Sequence, residues 1–265
     1  MLRALRKETS FVLHLIRLNL ASNMEYRTSF LSQIVGMMIN NGIYFVFWLL
    51  FFDRFQEIRG YQIDEIFMLF AVLTLAYGLA YTFAGNAMEI PRLIAQGRLD
   101  YYLALPRPVL PHLLFSRMGQ STIGDLAFGV IAYLFTGRFD LASIGLFIAV
   151  TLLAAVIFVT FAVTFGSLAF FFGNAELLSG RVLQTMLTFG LYPFGLFQGV
   201  VRLVLLTLIP AAYIGAVPVQ VVQFTDLRAL ALLVVAAAVN LGVALTVFRV
   251  GLRRYESGSA LNINI

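Results

Sequence analysis

The sequence predicts an all-α integral membrane protein, and three observations lead to this fold class. The 265 residues are 61% hydrophobic and 12% charged, with a mean hydropathy of +0.92, whereas a soluble domain is about half apolar and a quarter charged. Apolar stretches of about 20 residues, the length that a helix needs to cross a bilayer, follow one another along the chain. The basic residues concentrate between these stretches, as expected for membrane proteins.

Residues 1–28 are predicted to lie in the membrane interface. Polar side chains recur there at steps of three and four, which places them on one stripe of an otherwise apolar helix. The stripe consists of Arg3, Lys7, Ser10, His14 and Arg17. This pattern is typical of an amphipathic helix that lies along a membrane surface. It also differs from a cleavable signal sequence, whose apolar region is not interrupted by charges.

Residues 29–250 are predicted to contain six transmembrane helices. The spans cover about residues 29–52, 66–88, 110–135 and 141–172, then run from 182 to a break at Pro193, and from 227 to 250. The fourth stretch is long for one crossing. We therefore expect it to be tilted, kinked near Gly166, or extended beyond the bilayer.

The apolar segment 198–223 is predicted to form two short re-entrant helices in the outer leaflet, because Arg202, Pro210 and Pro218 interrupt it. A full crossing would place the basic residues after the last span outside, against the usual charge bias. With six spans, both termini lie in the cytosol, residues 251–265 form a cytosolic tail, and the chain is a single membrane domain. Thirteen of the 18 lysines and arginines then lie inside, leaving Arg54, Arg59, Arg138, Arg202 and Arg228 outside.

The loop Glu89–Pro111, between the second and third spans, is longer than a simple connection requires. Its prolines, Pro106, Pro108 and Pro111, prevent a helix from running through it. Asp100 can cap a short helix whose apolar-aromatic face would comprise Tyr101, Tyr102 and Leu103. We predict that this short helix contacts a cytosolic partner. The alternative is a plain interfacial turn.

Four polar residues in or near the spans are candidates for pathway or subunit contacts. They are Asn40, Asn41, Asp125 and Arg202. A charge near the bilayer centre costs a few kcal/mol, so Asp125 needs a partner or a polar cavity. Hydrogen bonding between helices is the alternative for Asn40, Asn41 and Asp125, and a snorkelling interfacial arginine is the alternative for Arg202.

No catalytic, cofactor or metal site is predicted. The sequence lacks the G-x-x-x-x-G-K-[ST] pattern that cradles nucleotide phosphates, has no cysteine, and has two separated histidines, His14 and His112. The net charge of +5 is explained by the basic inner loops, so no nucleic-acid partner is expected. We therefore expect a protein that is not an enzyme.

Three motifs resemble those of type-2 ABC (ATP-binding cassette) exporter permeases. Glu25-Tyr26-Arg27-x-x-Phe30 is similar to the beginning of their first span, and the loop contains Gly97-x-Leu99-Asp100-x-x-Leu103-x-x-Pro106. The tail contains Gly251-Leu252-Arg253-Arg254-Tyr255-Glu256-Ser257. The proline-broken segment before the last span also matches. Ile90-Pro91 departs from the charged helical turn that such permeases often have there.

The resemblance implies a permease subunit in a bacterial inner membrane that forms the translocation pathway as a dimer and moves an amphipathic or apolar substrate. ATP and magnesium would bind to a separate ATPase subunit, and the other partners would be a second permease and membrane lipids. The positions implied to couple the two subunits are Gly97, Leu99, Asp100, Leu103 and Pro106. Tyr101 and Tyr102 are added because tyrosines often anchor interfaces.

Two alternatives to an ATP-driven exporter come from other functional classes. An ATP-independent transporter would be expected to contain paired charges within the membrane and an internal repeat. A structural or assembly protein would have no stable ATPase partner and would not need the Gly97–Pro106 geometry.

Overall fold

The computed structural model describes the backbone of residues 2–256 and the side chains of residues 10–256, and its regular elements are helices. The first half contains α1 (Leu2–Asn23), α2 (Arg27–Arg54), α3 (Ile63–Phe83), α4 (Ile90–Ala95), α5 (Asp100–Leu103), α6 (Val109–Phe115) and α7 (Thr122–Leu134). The second half contains α8 (Leu141–Gly166), α9 (Ala169–Phe172), α10 (Glu176–Gly190), α11 (Gly199–Thr207), α12 (Ala216–Phe224) and α13 (Leu227–Leu252). The all-helical class is therefore confirmed. The side chains of Arg3 and Lys7, and residues 257–265 of the predicted tail, lie outside the described part.

Four helical segments are long and apolar enough to cross a membrane: Ser10–Arg54, Ile63–Phe83, Leu141–Phe172 and Leu227–Leu252. The helices α11 and α12 meet at a bend of 65° and would make a fifth span if they crossed together. The predicted third and fifth spans correspond to α7 and α10, which have 13 and 15 residues. The structure thus supports four to five spans by length and composition, and the predicted number of six is not confirmed.

The predicted third span, residues 110–135, is not one continuous helix. It divides into α6 and α7, with residues 116–121 between them. The Gly119 N–H donates to the Tyr81 carbonyl and the Gly85 N–H donates to the Arg117 carbonyl, both at 3.0 Å. A Cβ atom at Gly119 would lie 2.8 Å from that Tyr81 oxygen. The end of α3 therefore supplies the backbone hydrogen bonds that a helix would otherwise provide.

The predicted fourth and fifth spans have different ends in the structure. Helix α8 ends at Gly166 and α9 ends before Gly173, where φ is +74°. The two helices together form one apolar segment, Leu141–Phe172, of 32 residues. Helix α10 begins at Glu176 rather than near residue 182. The Glu176 N–H donates to Asn174 Oδ1 at 3.2 Å, which satisfies one free N–H at the start of the helix.

Helix α3 occupies the centre of the structure, between α7 and α8. Ile66, Met68 and Leu69 are fully buried on it. The helices α3 and α7 approach closely at glycines: a Cβ atom at Gly129 would lie 2.6 Å from the Leu75 backbone nitrogen. Small residues permit such close packing in membranes, where lipid gives no hydrophobic drive for helix association.

A second apolar cluster lies at the end of the molecule that carries the Glu89–Pro111 loop. It joins residues of α4, α5, α6, α8, α9 and α13 with the residues just before α5 and α10, namely Ile90, Leu93, Ile94, Leu99, Tyr102, Leu113, Val163, Ala169, Ala175, Ala244 and Phe248. The loop is therefore anchored to the ends of several long helices. This cluster positions the candidate site.

Candidate coupling site and membrane cavities

The loop between α4 and α6 turns sharply before a short helix. Gly97 has φ of +68°, a conformation that glycine adopts without steric cost. The Arg98 N–H donates to the Leu93 carbonyl at 2.9 Å, which closes the turn. The predicted short helix is present as α5, which ends before Pro106, but Leu99 and not Asp100 occupies its N-cap position and no side chain caps it. Asp100 is instead the first residue of the helix.

Helix α5 has one buried side and one exposed side. Leu99, just before the helix, is 0% exposed and Tyr102 is 9% exposed, whereas Tyr101 and Leu103 are 65% and 41% exposed. Pro106 is also exposed. We call Tyr101, Leu103 and Pro106 the exposed face of α5. Tyr102, which the sequence analysis treated as a second anchor for a partner, instead packs inward.

A buried hydrogen-bond network holds Tyr102 in this orientation. Its hydroxyl lies 2.9 Å from Ser116 Oγ. Asn86 Nδ2 donates to Ser116 Oγ at 2.7 Å and to the Leu113 carbonyl at 3.0 Å, and it lies 3.2 Å from the Tyr102 hydroxyl. Asn86 lies three residues after the end of α3, so the network connects α5 to the chain that leaves the central helix. Asn86 and Ser116 were not predicted from the sequence. The available signal was one asparagine in the apolar stretch before the loop.

The N-terminal helix packs against the same loop. The Arg107 guanidinium lies 3.9 Å from the centroid of the Phe11 ring, and Phe11 meets His112 edge to face at 5.1 Å. Farther along α1, Asn19 Nδ2 donates to the Phe115 carbonyl at 3.1 Å. Helix α1 therefore lies along α6 and supports the second half of the loop.

A cavity of about 580 Å³ lies between α2, α3, α7 and α10. Three of its polar lining residues are Asn40, Asn41 and Asp125, and its aromatic residues are Tyr44, Phe47, Trp48, Phe70, Tyr77 and Tyr192. Asn41 Nδ2 donates to Asp125 Oδ1 at 2.7 Å, and both residues are buried. Asp125 therefore makes the interhelical hydrogen bond that was one of its two interpretations, while it also lines a cavity.

The other two predicted polar candidates differ in position. Asn40 is exposed and lines the same cavity as Asn41. Arg202 is exposed on α11, where its guanidinium lies 5.4 Å from the centroid of the Phe194 ring. Arg202 is not among the residues that line this cavity.

A second cavity, of about 530 Å³, lies toward the loop end and is mainly polar. Gln33 Nε2 donates to Gln120 Oε1 at 2.7 Å, and Gln120 Nε2 donates to Asn23 Oδ1 at 2.8 Å. Glu89 also lines this cavity and lies 3.7 Å from the Arg117 guanidinium. Tyr77 lines both cavities, so they adjoin one another.

The two histidines are accounted for by local contacts. His14 Nδ1 lies 2.7 Å from the Ser10 carbonyl within α1, and His112 is packed among Phe11, Tyr101 and Tyr102. Within the described part of the chain, no group of three or more histidine, aspartate or glutamate side chains is arranged to hold a metal ion.

Comparison with known protein families gives a match to the family described as ABC-2 family transporter protein, over residues 38–259. The matched region includes the whole Glu89–Pro111 loop with α5, and most of the residues that line the larger cavity. No curated protein and no solved structure matches the chain. Members of the family are membrane permease subunits that work with an ABC ATPase subunit. Because the match extends over most of the sequence, the chain belongs to the ABC-2 family of transporter permeases.

Proposed function

We propose that this chain is the permease subunit of an ATP-driven exporter and that the ATPase subunit docks on the exposed face of α5. The observation that carries this proposal is the contrast between the two sides of that helix. Tyr101 and Leu103 project from it, whereas Leu99 and Tyr102 are buried. Tyrosine is enriched among the residues that dominate binding energy at protein interfaces.

The contacts that attach α5 to the rest of the fold are suited to transmitting force. Tyr102 is tied through Ser116 and Asn86 to the end of α3, and α3 is the central helix of the membrane domain. A push on Tyr101 or Leu103 would therefore reach the spans through buried contacts rather than through a flexible loop. In this proposal ATP and magnesium bind to the ATPase subunit, and this chain converts the movement of that subunit into transport.

The proposed orientation places α5 and both termini in the cytosol of a bacterial cell, with the chain in the inner membrane. The excess of lysine and arginine on the α5 side supports this orientation. Helix α1 lies beside the loop, as its contacts with Arg107 and His112 indicate. In this position its apolar surface would rest in the lipid interface.

A second permease, either another copy or a related chain, is proposed to face α2 and close the larger cavity. Apolar side chains on one face of α2 are more than half exposed: Leu31, Val35, Ile39, Ile43 and Leu50. The cavity opens beside this face, between α2 and α10. A partner on this face would complete a pathway that one subunit only half encloses.

The two adjoining cavities favour an amphipathic substrate. The cavity near the loop offers amides and the charged side chains of Glu89 and Arg117. The adjoining cavity, which shares Tyr77 with the first, is lined mainly by aromatic and aliphatic side chains, together with Asn40, Asn41 and Asp125. A molecule with a polar head and an apolar body would find matching surfaces in this order. Export as the direction of transport rests on the family resemblance.

Site-specific crosslinking tests the docking surface. A photo-reactive phenylalanine analogue at Tyr101, in the native cell, is expected to capture an ABC ATPase subunit. The same analogue at Phe139, which is 57% exposed at the opposite end of the spans, serves as the matched control and should capture none. Capture from both positions, or from neither, would contradict the proposed docking on α5.

A further inference from the structure

Asp125 carries the one charge in the wall of the larger cavity. The other described residues that line this cavity have apolar or uncharged polar side chains, and no described lysine or arginine lies among them. A charged side chain within a membrane domain costs a few kcal/mol near the bilayer centre unless a partner compensates it. The cavity wall therefore favours a positively charged group.

The hydrogen bonding of Asp125 leaves one carboxylate oxygen unused. Oδ1 accepts from Asn41 Nδ2 at 2.7 Å, and this neutral donor does not cancel the negative charge. Oδ2 is shielded from solvent and has no hydrogen-bond partner among the described residues, and Asp125 as a whole is 4% exposed. Because attraction between charges extends over several ångströms in a medium of low dielectric constant, a cation in the cavity need not touch Oδ2.

Aromatic rings provide the second feature of a site for a cation. Trp48 lines the cavity and meets Tyr192 edge to face, with ring centroids 6.0 Å apart. Tyr44 and Phe47 also belong to the wall and are 48% and 53% exposed, so a large part of each ring is free for contact. The faces of such rings attract cations, and aromatic cages recognise quaternary ammonium groups.

The composition of the wall favours an organic cation over a metal ion. Calcium and magnesium are bound by about six or more oxygen ligands. Within the described part of the chain, no group of three or more acidic or histidine side chains is arranged to hold a metal ion. The cavity volume of about 580 Å³ is in the range of sites for small organic molecules.

We propose that the larger cavity binds the positively charged part of an organic amphiphile, with Asp125 as the counter-charge and the aromatic wall around its apolar body. The more polar portion of the molecule would extend past Tyr77 into the smaller cavity, which Tyr77 also lines. This assignment narrows the substrate class from amphipathic to cationic. That the bound molecule is transported rests on the proposed function, whereas the binding itself belongs to this chain.

Binding of an organic cation to the purified full-length chain in a nonionic detergent tests the site without an ATPase. Trp48 is the only tryptophan of the sequence and lies in the cavity wall, so its fluorescence reports on this cavity. The probe is tetraphenylphosphonium, a hydrophobic cation, and it should change the fluorescence in a saturable way. Tetraphenylborate has the same shape and the opposite charge, and it should bind more weakly.

The variant Asp125→Asn separates the effect of charge from the effect of shape. Asparagine keeps the size of the side chain and an oxygen that accepts from Asn41, but it removes the charge. We expect tetraphenylphosphonium to bind about tenfold more weakly, and tetraphenylborate to bind equally well or more tightly. The matched control is Asp53→Asn, which removes a charge from an exposed residue at the end of α2 and should not alter binding of the cation.

The variant Tyr44→Leu tests the aromatic wall, and it replaces Asp125→Asn if that variant does not fold. Tyr44 is about half exposed, so its substitution disturbs little packing. Because ring faces attract cations and not anions, binding of tetraphenylphosphonium should weaken about threefold and binding of tetraphenylborate should weaken less. Equal changes for the two probes in this variant would contradict a role of the ring in cation binding.

Three results would overturn the cation site as a whole. They are equal affinity of Asp125→Asn and the unaltered chain for tetraphenylphosphonium, equal weakening of both probes by Asp125→Asn, and the absence of saturable binding to the unaltered chain. A loss in Asp53→Asn as large as in Asp125→Asn would have the same consequence. None of these results depends on whether Tyr101 captures an ATPase, so failure of the cation site and failure of the proposed function can be told apart.

Discussion

Asn41 Nδ2 donates a 2.7 Å hydrogen bond to Asp125 Oδ1, and this bond joins α2 to α7 inside the membrane domain. The neighbouring Gly124 lets the two helices approach, since a Cβ atom there would lie 2.5 Å from the Ile34 carbonyl oxygen. Most of α2 is exposed, and α7 is its main neighbour. The pair therefore fixes the helix that borders the larger cavity to the rest of the molecule.

Removing the acceptor at Asp125 should loosen α2. Asp125→Ala would leave the buried Asn41 amide without this partner, and we expect the free energy of unfolding to fall by about 1–2 kcal/mol, the size of such bonds in membrane helices. Unfolding in a detergent titration measures this change. Asp125→Asn is the control because its amide oxygen still accepts a hydrogen bond, so it should lose less. Equal losses in the two variants would show that the bond does not stabilise the contact.

The crossing of α3 and α7 should not tolerate an added methyl group at Gly129. Gly129→Ala would place Cβ 2.6 Å from the Leu75 backbone nitrogen. We expect a loss of about 1–3 kcal/mol, as for other overpacked contacts. Gly242→Ala on α13 is the matched control because no atom lies within 4 Å of its added Cβ, and it should be neutral or stabilising since alanine favours helices. The measurement is the melting temperature of each purified variant, and similar melting of both would refute the close crossing.

The last membrane helix should depend on its N-terminal cap. Asp226 Oδ1 accepts from the Arg228 and Ala229 N–H groups at 2.8 and 3.2 Å. Asp226→Ala removes both acceptor contacts and should lower the free energy of unfolding by about 1 kcal/mol. Asp226→Asn retains a capping oxygen and should remain close to the unaltered chain in the same detergent titration. A loss in the asparagine variant as large as in the alanine variant would assign the effect to charge instead of capping.

Local sequence patterns predicted those parts of the fold that depend on local chemistry. The polar stripe and apolar remainder of residues 1–28 predicted a helix there, and α1 ends at Asn23. Proline and glycine around residues 97–106 isolated α5, and Pro210 separated α11 from the segment that forms α12. At the proline and glycine positions the residue type itself limits what the backbone can do.

Long-range contacts explain where the predictions failed. The third span is broken because Gly119 bonds to Tyr81 of another helix, and nothing near Gly119 in the sequence specifies that partner. Tyr101 and Tyr102 are adjacent residues of the same type, yet only Tyr102 forms hydrogen bonds with Asn86 and Ser116. Such relationships arise from tertiary packing, so sequence spacing alone did not reveal them.

The proposed function depends above all on the binding of an ATPase subunit to the exposed face of α5. The most direct measurement is the amount of ATPase subunit that co-purifies with the tagged chain from its native cells in a mild detergent. We compare the unaltered chain with Leu103→Lys and with the control Leu141→Lys, whose leucine is 87% exposed at the start of α8. We expect a stoichiometric ATPase with the unaltered chain and the Leu141 variant, and its loss with the Leu103 variant. Recovery of the chain without an ATPase while other membrane complexes stay intact, or full retention by the Leu103 variant, would contradict the proposed binding.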